Sequence, residues 1–133
     1  MAPEGYTIKN LRELEDSGDP LGISDVAEVR FAREPLGAED TGMTLHVIHA
    51  GQRNPFAHRH ETCEETYVVV SGRGRAKVGD DILDISPLDA VRVAGATLRA
   101  FEAGDEEDLV MIAFGTQHGA DETEFVEGFW EEA

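Results

Sequence analysis

From residue 42 to residue 115 the chain repeats one unit, a short apolar or alternating run closed by turn formers. GMTLHVIHA leads into GQRNP, HRHETCEETYVVVSG ends in a β-branched run, and RGRAKVG and DILDIS flank Gly79-Asp80-Asp81. AVRVAG, TLRAFEAG and DLVMIAFG follow, each closed by glycine. Such runs suit half-buried strands, and no helical period competes with them here. Evenly spaced short strands leave two solutions, a sandwich or a barrel, because both protect the sheet edges. The expected fold class is therefore all-β, a sandwich or a barrel with its core over about 40–115.

The flanks are less regular. Residues 6–9 suit an edge strand, and NLRELEDSG suits a short helix capped by Asn10 and ended by Gly18. VAEVRFARE, residues 26–34, reads as a strand, and PLGAED as a turn. The tail over 116–133 is acidic but carries Phe125, Phe129 and Trp130, rings that gain by packing on the barrel or on a partner. The whole length of 133 residues suits a single domain able to bury its own core.

Charge narrows the partners. Asp and Glu number 28 against 11 Lys and Arg, a formal charge of −17. Such a surface repels nucleic-acid phosphates and anionic lipid heads, so neither is expected as a partner. Cys63 stands alone, so no internal disulfide forms. The opening MAPEGYTIKN lacks a basic region followed by an apolar run, and no stretch reaches the ~18 apolar residues of a membrane span. A cytoplasmic protein is the expectation.

The densest group of potential ligands is His58, His60, Cys63, Glu64 and Glu65. His58 and His60 stand two apart, so a strand places both imidazoles on one face, where one ion can meet them. Two neutral imidazoles and a carboxylate suit Fe, Mn, Ni, Zn or Cu and leave coordination positions open. Cys63 reads as incidental and His118, in TQHGAD, as a loop residue. No nucleophile elbow, phosphate loop or dinucleotide fingerprint is present.

This region resembles the first motif of the cupins. The family runs Gly, about five residues, His-x-His, three or four residues, Glu, six residues, Gly. Here Gly51 precedes His58-Arg59-His60 by a gap of six, Glu65 follows after four, and Gly72 after six more. The spacing selects Glu65 over Glu64. Pro55 and TYVVVSGRG also fit the family. The resemblance covers about 42–115 and implies a double-stranded β-helix, a jelly-roll barrel whose pocket holds a divalent metal on His58, His60 and Glu65.

The second cupin motif departs from the family. Pro87-Leu88-Asp89 stands in place of Pro-x-Gly, and Arg99 falls where the last histidine ligand belongs. A guanidinium has no lone pair to give and its charge opposes a nearby cation. Three resolutions stay open: three protein ligands suffice, another histidine completes the shell, or Arg99 pairs with Glu65 and no metal binds. His46 is the first candidate for the extra histidine. If GQRNP closes a hairpin, His46 lies opposite His60, and a one-residue slip brings in His49 instead. An inward Arg99 can also grip an anion, with Tyr67 on the same face as Glu65.

The resemblance implies a barrel that binds a divalent metal, and an inward Arg99 implies a small anionic molecule beside it; if the chain is an enzyme, oxidoreductase or isomerase chemistry is the expectation. The alternative is a metal-free, non-catalytic binding module in which Arg99 holds the anion. Small cupins also imply a homodimer, with N-terminal residues or Phe129 and Trp130 covering apolar barrel surface.

Overall fold

The computed structural model describes residues 5–18, 22–116 and 123–132. Its strands are β1 (Ala27–Phe31), β2 (Gly42–Ile48), β3 (Phe56–His60), β4 (Glu65–Ser71), β5 (Gly74–Val78), β6 (Asp81–Ile85), β7 (Ala90–Val93), β8 (Arg99–Ala103), β9 (Leu109–Gly115) and β10 (Thr123–Glu127). They build two five-stranded sheets, β1-β2-β9-β4-β7 (sheet A) and β10-β3-β8-β5-β6 (sheet B). Every pairing is antiparallel. The protein is a jelly-roll β-barrel, all-β as the strand rhythm predicts and a jelly roll as the cupin resemblance implies, and β1 and β10 extend its sheets beyond the expected 40–115 core.

Strand alternation sorts the side chains. Val29, Ile48, Tyr67, Val69, Val93, Met111 and Ala113 of sheet A meet Ala76, Ile85, Phe101 and Ala103 of sheet B in one interior cluster. Tyr67 packs on Phe101 across the gap with ring centroids 4.6 Å apart. The alternate residues face outward. On sheet A these are Leu45, Val47 and Val110, covered by Leu11 and Ile112. On sheet B, Ala57 and Ala100 lie under Trp130, with Phe129 and Leu98 beside them.

The N-terminal segment forms no strand over residues 6–9, and Ile8 is largely exposed. The expected helix shrinks to one 3-10 turn, Leu11–Glu13. Asn10 does cap it, accepting the Arg12 N–H. Competing partners end it early: the Arg30 guanidinium donates to the Leu14 carbonyl, and Asp16 accepts from the N–H groups of Gly18 and Val29. These bonds strap the segment along β1. The strand expected over 26–34 stops at Phe31, and α1 (Arg33–Leu36) takes over, closed by Gly37 in the left-handed conformation.

GQRNP is not a hairpin. Asn54 N–H donates to the Phe101 carbonyl and Phe101 N–H to Asn54 Oδ1, so the segment carries the chain from sheet A to β8 in sheet B. β2 and β3 therefore never pair. His46 lies opposite Val29 and Met111, and His60 opposite Thr123. By contrast Gly79-Asp80 does turn a hairpin, with Val78 opposite Asp81. Gly72 closes the first motif because β4 turns toward the other sheet there: its φ is +82°, and a Cβ would lie 2.0 Å from the Asp108 carbonyl oxygen. Leu88, in the departed second motif, holds a φ of 73° without being glycine.

Phe129 and Trp130 serve the barrel itself. Trp130 is 6% exposed, lies under the Arg53 and Arg75 guanidinium groups, and seals the outer face of sheet B. Phe125 is 56% exposed. Trp130→Ala should therefore cost about 3 kcal/mol and lower the thermal midpoint by about 10 °C. Phe125→Ala should lower it by no more than a few degrees. Equal shifts in calorimetry would show that Trp130 does not anchor the tail.

Candidate metal centre

β3 turns Phe56, His58 and His60 inward, since the intervening Ala57 belongs to the outer cluster. β4 enters the barrel at Glu65 and turns Tyr67 to the same face. These two strands sit in opposite sheets, so closing the barrel brings their side chains together. Both histidines point Nε2 at one carboxylate oxygen: Glu65 Oε1 lies 3.3 Å from His58 Nε2 and 3.0 Å from His60 Nε2. Tyr67 donates its hydroxyl to the same oxygen at 2.7 Å. Glu64, the rejected neighbour, points outward and pairs with Arg92 at 3.0 Å.

The donor set fits a divalent ion. The ligand atoms of His58, His60 and Glu65 all lie within 4.8 Å of one another. Donors about 2.0–2.2 Å from a shared first-row ion stand roughly 3.0–3.5 Å apart at adjacent corners of its coordination shell. The two histidine–carboxylate separations fall in that range. Access comes from one end of the barrel. A cavity of about 330 Å³, lined by Phe31, Arg33, Met43, His60, Cys63 and Glu65 among others, reaches the cluster.

Arg99, which the motif comparison sets at the missing ligand, lies beside the cluster. It begins β8 directly opposite His58 and is fully buried. Its Nη1 donates to the carbonyls of Thr97, Gly95 and His58, and Nη2 stands 3.6 Å from Glu65 Oε1. Nε and Nη2 make no hydrogen bond among the described residues. Neither Arg99 nor Tyr67 lines the cavity. Both form the wall behind Glu65.

His46 faces inward from β2, but the structure does not bring it into the ligand group. It stands behind, its ring 6.1 Å from Tyr67. The hairpin register that put it opposite His60 is wrong, while its face is right: it shares parity with the interior Ile48. His49 turns the other way, toward Asp108 at 3.7 Å. Sequence reading missed β10. Thr123 Oγ1 lies 3.0 Å from His60 Nδ1, and the Phe125 ring stands 6.2 Å from His58. Only alternation in the tail hinted at this strand. His118 lies outside the described residues.

Burial and charge set the titration. Burial alone would raise the Glu65 carboxyl, but hydrogen bonds from His58, His60 and Tyr67 outweigh it and hold the group far below the usual range. Burial raises the Tyr67 hydroxyl, and the Glu65 charge adds to that. Burial lowers His46 to about 4 despite the nearby Glu65. Both His46 and Glu65 thus bind protons less readily folded than unfolded, so stability falls as pH falls. The His46 share, about 3 kcal/mol at most, is complete above its ordinary 6.5 and is lost as pH falls toward 4. The Glu65 share goes below its ordinary 4.5. Urea midpoints measured from pH 7 to 4.5 should decline, and His46→Gln should flatten the decline. An unchanged slope in that variant would contradict burial of a neutral His46.

No protein-family model matches the chain, and no curated protein does. Solved structures do. A cupin protein from Bacteroides fragilis superposes with a TM-score of 0.69 at 18% identity, over 97% of this chain and 94% of that one. A sugar phosphate isomerase of the cupin superfamily from Silicibacter pomeroyi gives 0.72 at 15% identity, over 89% and 80%. A polyketide cyclase from Streptomyces resistomycificus gives 0.71 at 14% identity, over 92% and 85%. Activities this different share a barrel and not a reaction. With two antiparallel sheets closed over inward-facing histidines, the chain is a small domain of the cupin fold.

Proposed function

We propose that the protein binds a divalent transition metal through His58, His60 and Glu65 and presents it to a small anionic molecule entering by the cavity. The observation that carries this reading is the turning of both Nε2 atoms onto one carboxylate oxygen. When bound, the metal supplies Lewis acidity or oxygen activation, the chemistry of isomerases and oxidoreductases.

The chain's own residues do the rest. Glu65 stays ionised as pH falls, so it remains available as an anionic ligand. Tyr67 holds Oε1 in place from behind. Arg99 adds a positive charge where cupins supply a neutral imidazole. A divalent ion, one carboxylate and one guanidinium sum to two positive charges, which favours an anionic oxygen at the open position. The metal-free alternative has less support. Arg99 is fully buried and three backbone carbonyls hold its Nη1, so an anion meets it only after displacing its neighbours.

We also propose a homodimer. Trp130 is spent on the protomer's own barrel, which leaves the outer face of sheet A, where Val70 and Phe114 are exposed. Light scattering at micromolar concentration should give the mass of a dimer, weakening at low salt because two chains of −17 repel. A monomer mass would contradict it.

Metal titration tests the main reading. His58→Ala should abolish uptake of Zn²⁺, Ni²⁺ and Mn²⁺ by untagged protein. Arg99→His, which supplies a third imidazole as a fourth ligand and removes the opposing charge, should raise affinity at least tenfold, about 1.4 kcal/mol. Uptake unchanged in His58→Ala would refute the ligand assignment. Equal affinities in Arg99→His would show that the guanidinium does not act on the site.

A further inference from the structure

The tail strand β10 contributes more than an edge. It pairs with β3 so that Thr123 lies opposite His60 and Phe125 opposite His58. Opposed residues in a sheet share a face, so both side chains point where the histidines point. Thr123 Oγ1 reaches His60 Nδ1 at 3.0 Å, the ring nitrogen turned away from the ligand cluster. Phe125 packs edge-on against Phe56 at 5.1 Å, beside His58. Outward from the same strand, Arg59 pairs with Glu124. Trp130, a few residues on, is clamped under Arg53 and Arg75 and fixes the end of the segment.

We infer that Thr123 is a positioning residue for His60, so that the C-terminal strand completes the metal centre. The effect on metal rests on the function proposed above, whereas the hydrogen bond itself does not. An imidazole that gives Nε2 to a cation must carry its proton on Nδ1, and that N–H needs an acceptor. Without metal, His60 Nε2 faces the ionised Glu65 and serves best as a donor, which leaves Nδ1 as an acceptor. A hydroxyl answers both states, donating to Nδ1 in the second and accepting from it in the first. It also fixes the ring plane, and so the direction of the Nε2 lone pair. Tail and ligand stand 63 residues apart in sequence, and the β3–β10 register joins them.

Thr123→Val keeps the shape and the strand preference but removes the hydroxyl, so the fold is not at risk. Thr123→Ser restores the hydroxyl without the methyl. Zn²⁺ and Ni²⁺ affinities, read by competition with a chromophoric chelator, should fall about ten- to a hundredfold in Thr123→Val and recover in Thr123→Ser. In metal-free, ¹⁵N-histidine-labelled protein, the His60 Nδ1 resonance should shift in Thr123→Val and return in Thr123→Ser. Wild-type affinity in Thr123→Val, or equal loss in both variants, would overturn the inference. If the wild type takes up neither ion, the metal reading fails, and the Nδ1 resonance still decides whether Thr123 holds His60.

Discussion

A largely buried carboxylate at the junction of two sheets depends on its neighbours to stay ionised. Moving such a charge out of water costs several kcal/mol unless hydrogen bonds and opposite charge replace its hydration. Glu65 Oε1 has those replacements from four directions: His58 and His60 from sheet B, Tyr67 from its own strand, and Arg99 from β8. Each of these groups depends on sheet geometry. The histidines need the β3 alternation, Tyr67 needs the same parity two residues on, and Arg99 needs its register opposite His58. A one-residue slip in β3 would turn both imidazoles outward and leave the carboxylate uncompensated.

What the sequence disclosed follows the range of the forces involved. Alternation and turn chemistry are local, so the strands from β2 to β9 and the Gly79-Asp80 hairpin are legible. The motif spacing separates Glu65 from Glu64 because adjacent strand residues face opposite ways, and the exposed Glu64–Arg92 pair shows the outcome. GQRNP misleads because a tight turn and a sheet-to-sheet crossing use the same breakers. What distinguishes them is Asn54 bonding to Phe101, a contact across 47 residues. The register of His46 fails with that turn, though parity still places it inward. Residues 10–18 carry helical signals, yet Asp16 and Arg30 offer the backbone other partners and the helix stops after one turn. Thr123 and Phe125 had no local signal of function. Their role exists only through pairing with β3.

The two termini use the outward faces of the same alternation. Leu11 covers Leu45, Val47 and Val110 on sheet A, while Trp130 covers Ala57 and Ala100 on sheet B. Ala57 separates His58 from Phe56, and Ala100 follows Arg99, so the Trp130 seal lies directly behind the strands that carry the site. Small residues there let the indole approach the sheet closely. Lys77 adds to the same fastening: it is buried, donates to the Phe129 carbonyl, and stands 4.5 Å from the Phe129 ring centre. Outer packing and inner chemistry are thus two faces of one pair of strands.

Arg99 then has a definite physical meaning. A neutral imidazole at this position would add a ligand, whereas the guanidinium adds a fixed positive charge 3.6 Å from the carboxylate. That charge stabilises the ionised Glu65. Were a divalent ion held by the cluster, the guanidinium would oppose it and draw electron density from the carboxylate they would share, weakening that ligand and sharpening the ion's Lewis acidity. Affinity and acidity would then trade against each other through one oxygen atom. Nη1 is tied to three carbonyls, so the guanidinium cannot swing away to relieve the repulsion. An anionic molecule at an open coordination position would relieve it instead, because it would neutralise the excess charge. Metal and anion would then bind cooperatively, with Arg99 coupling them.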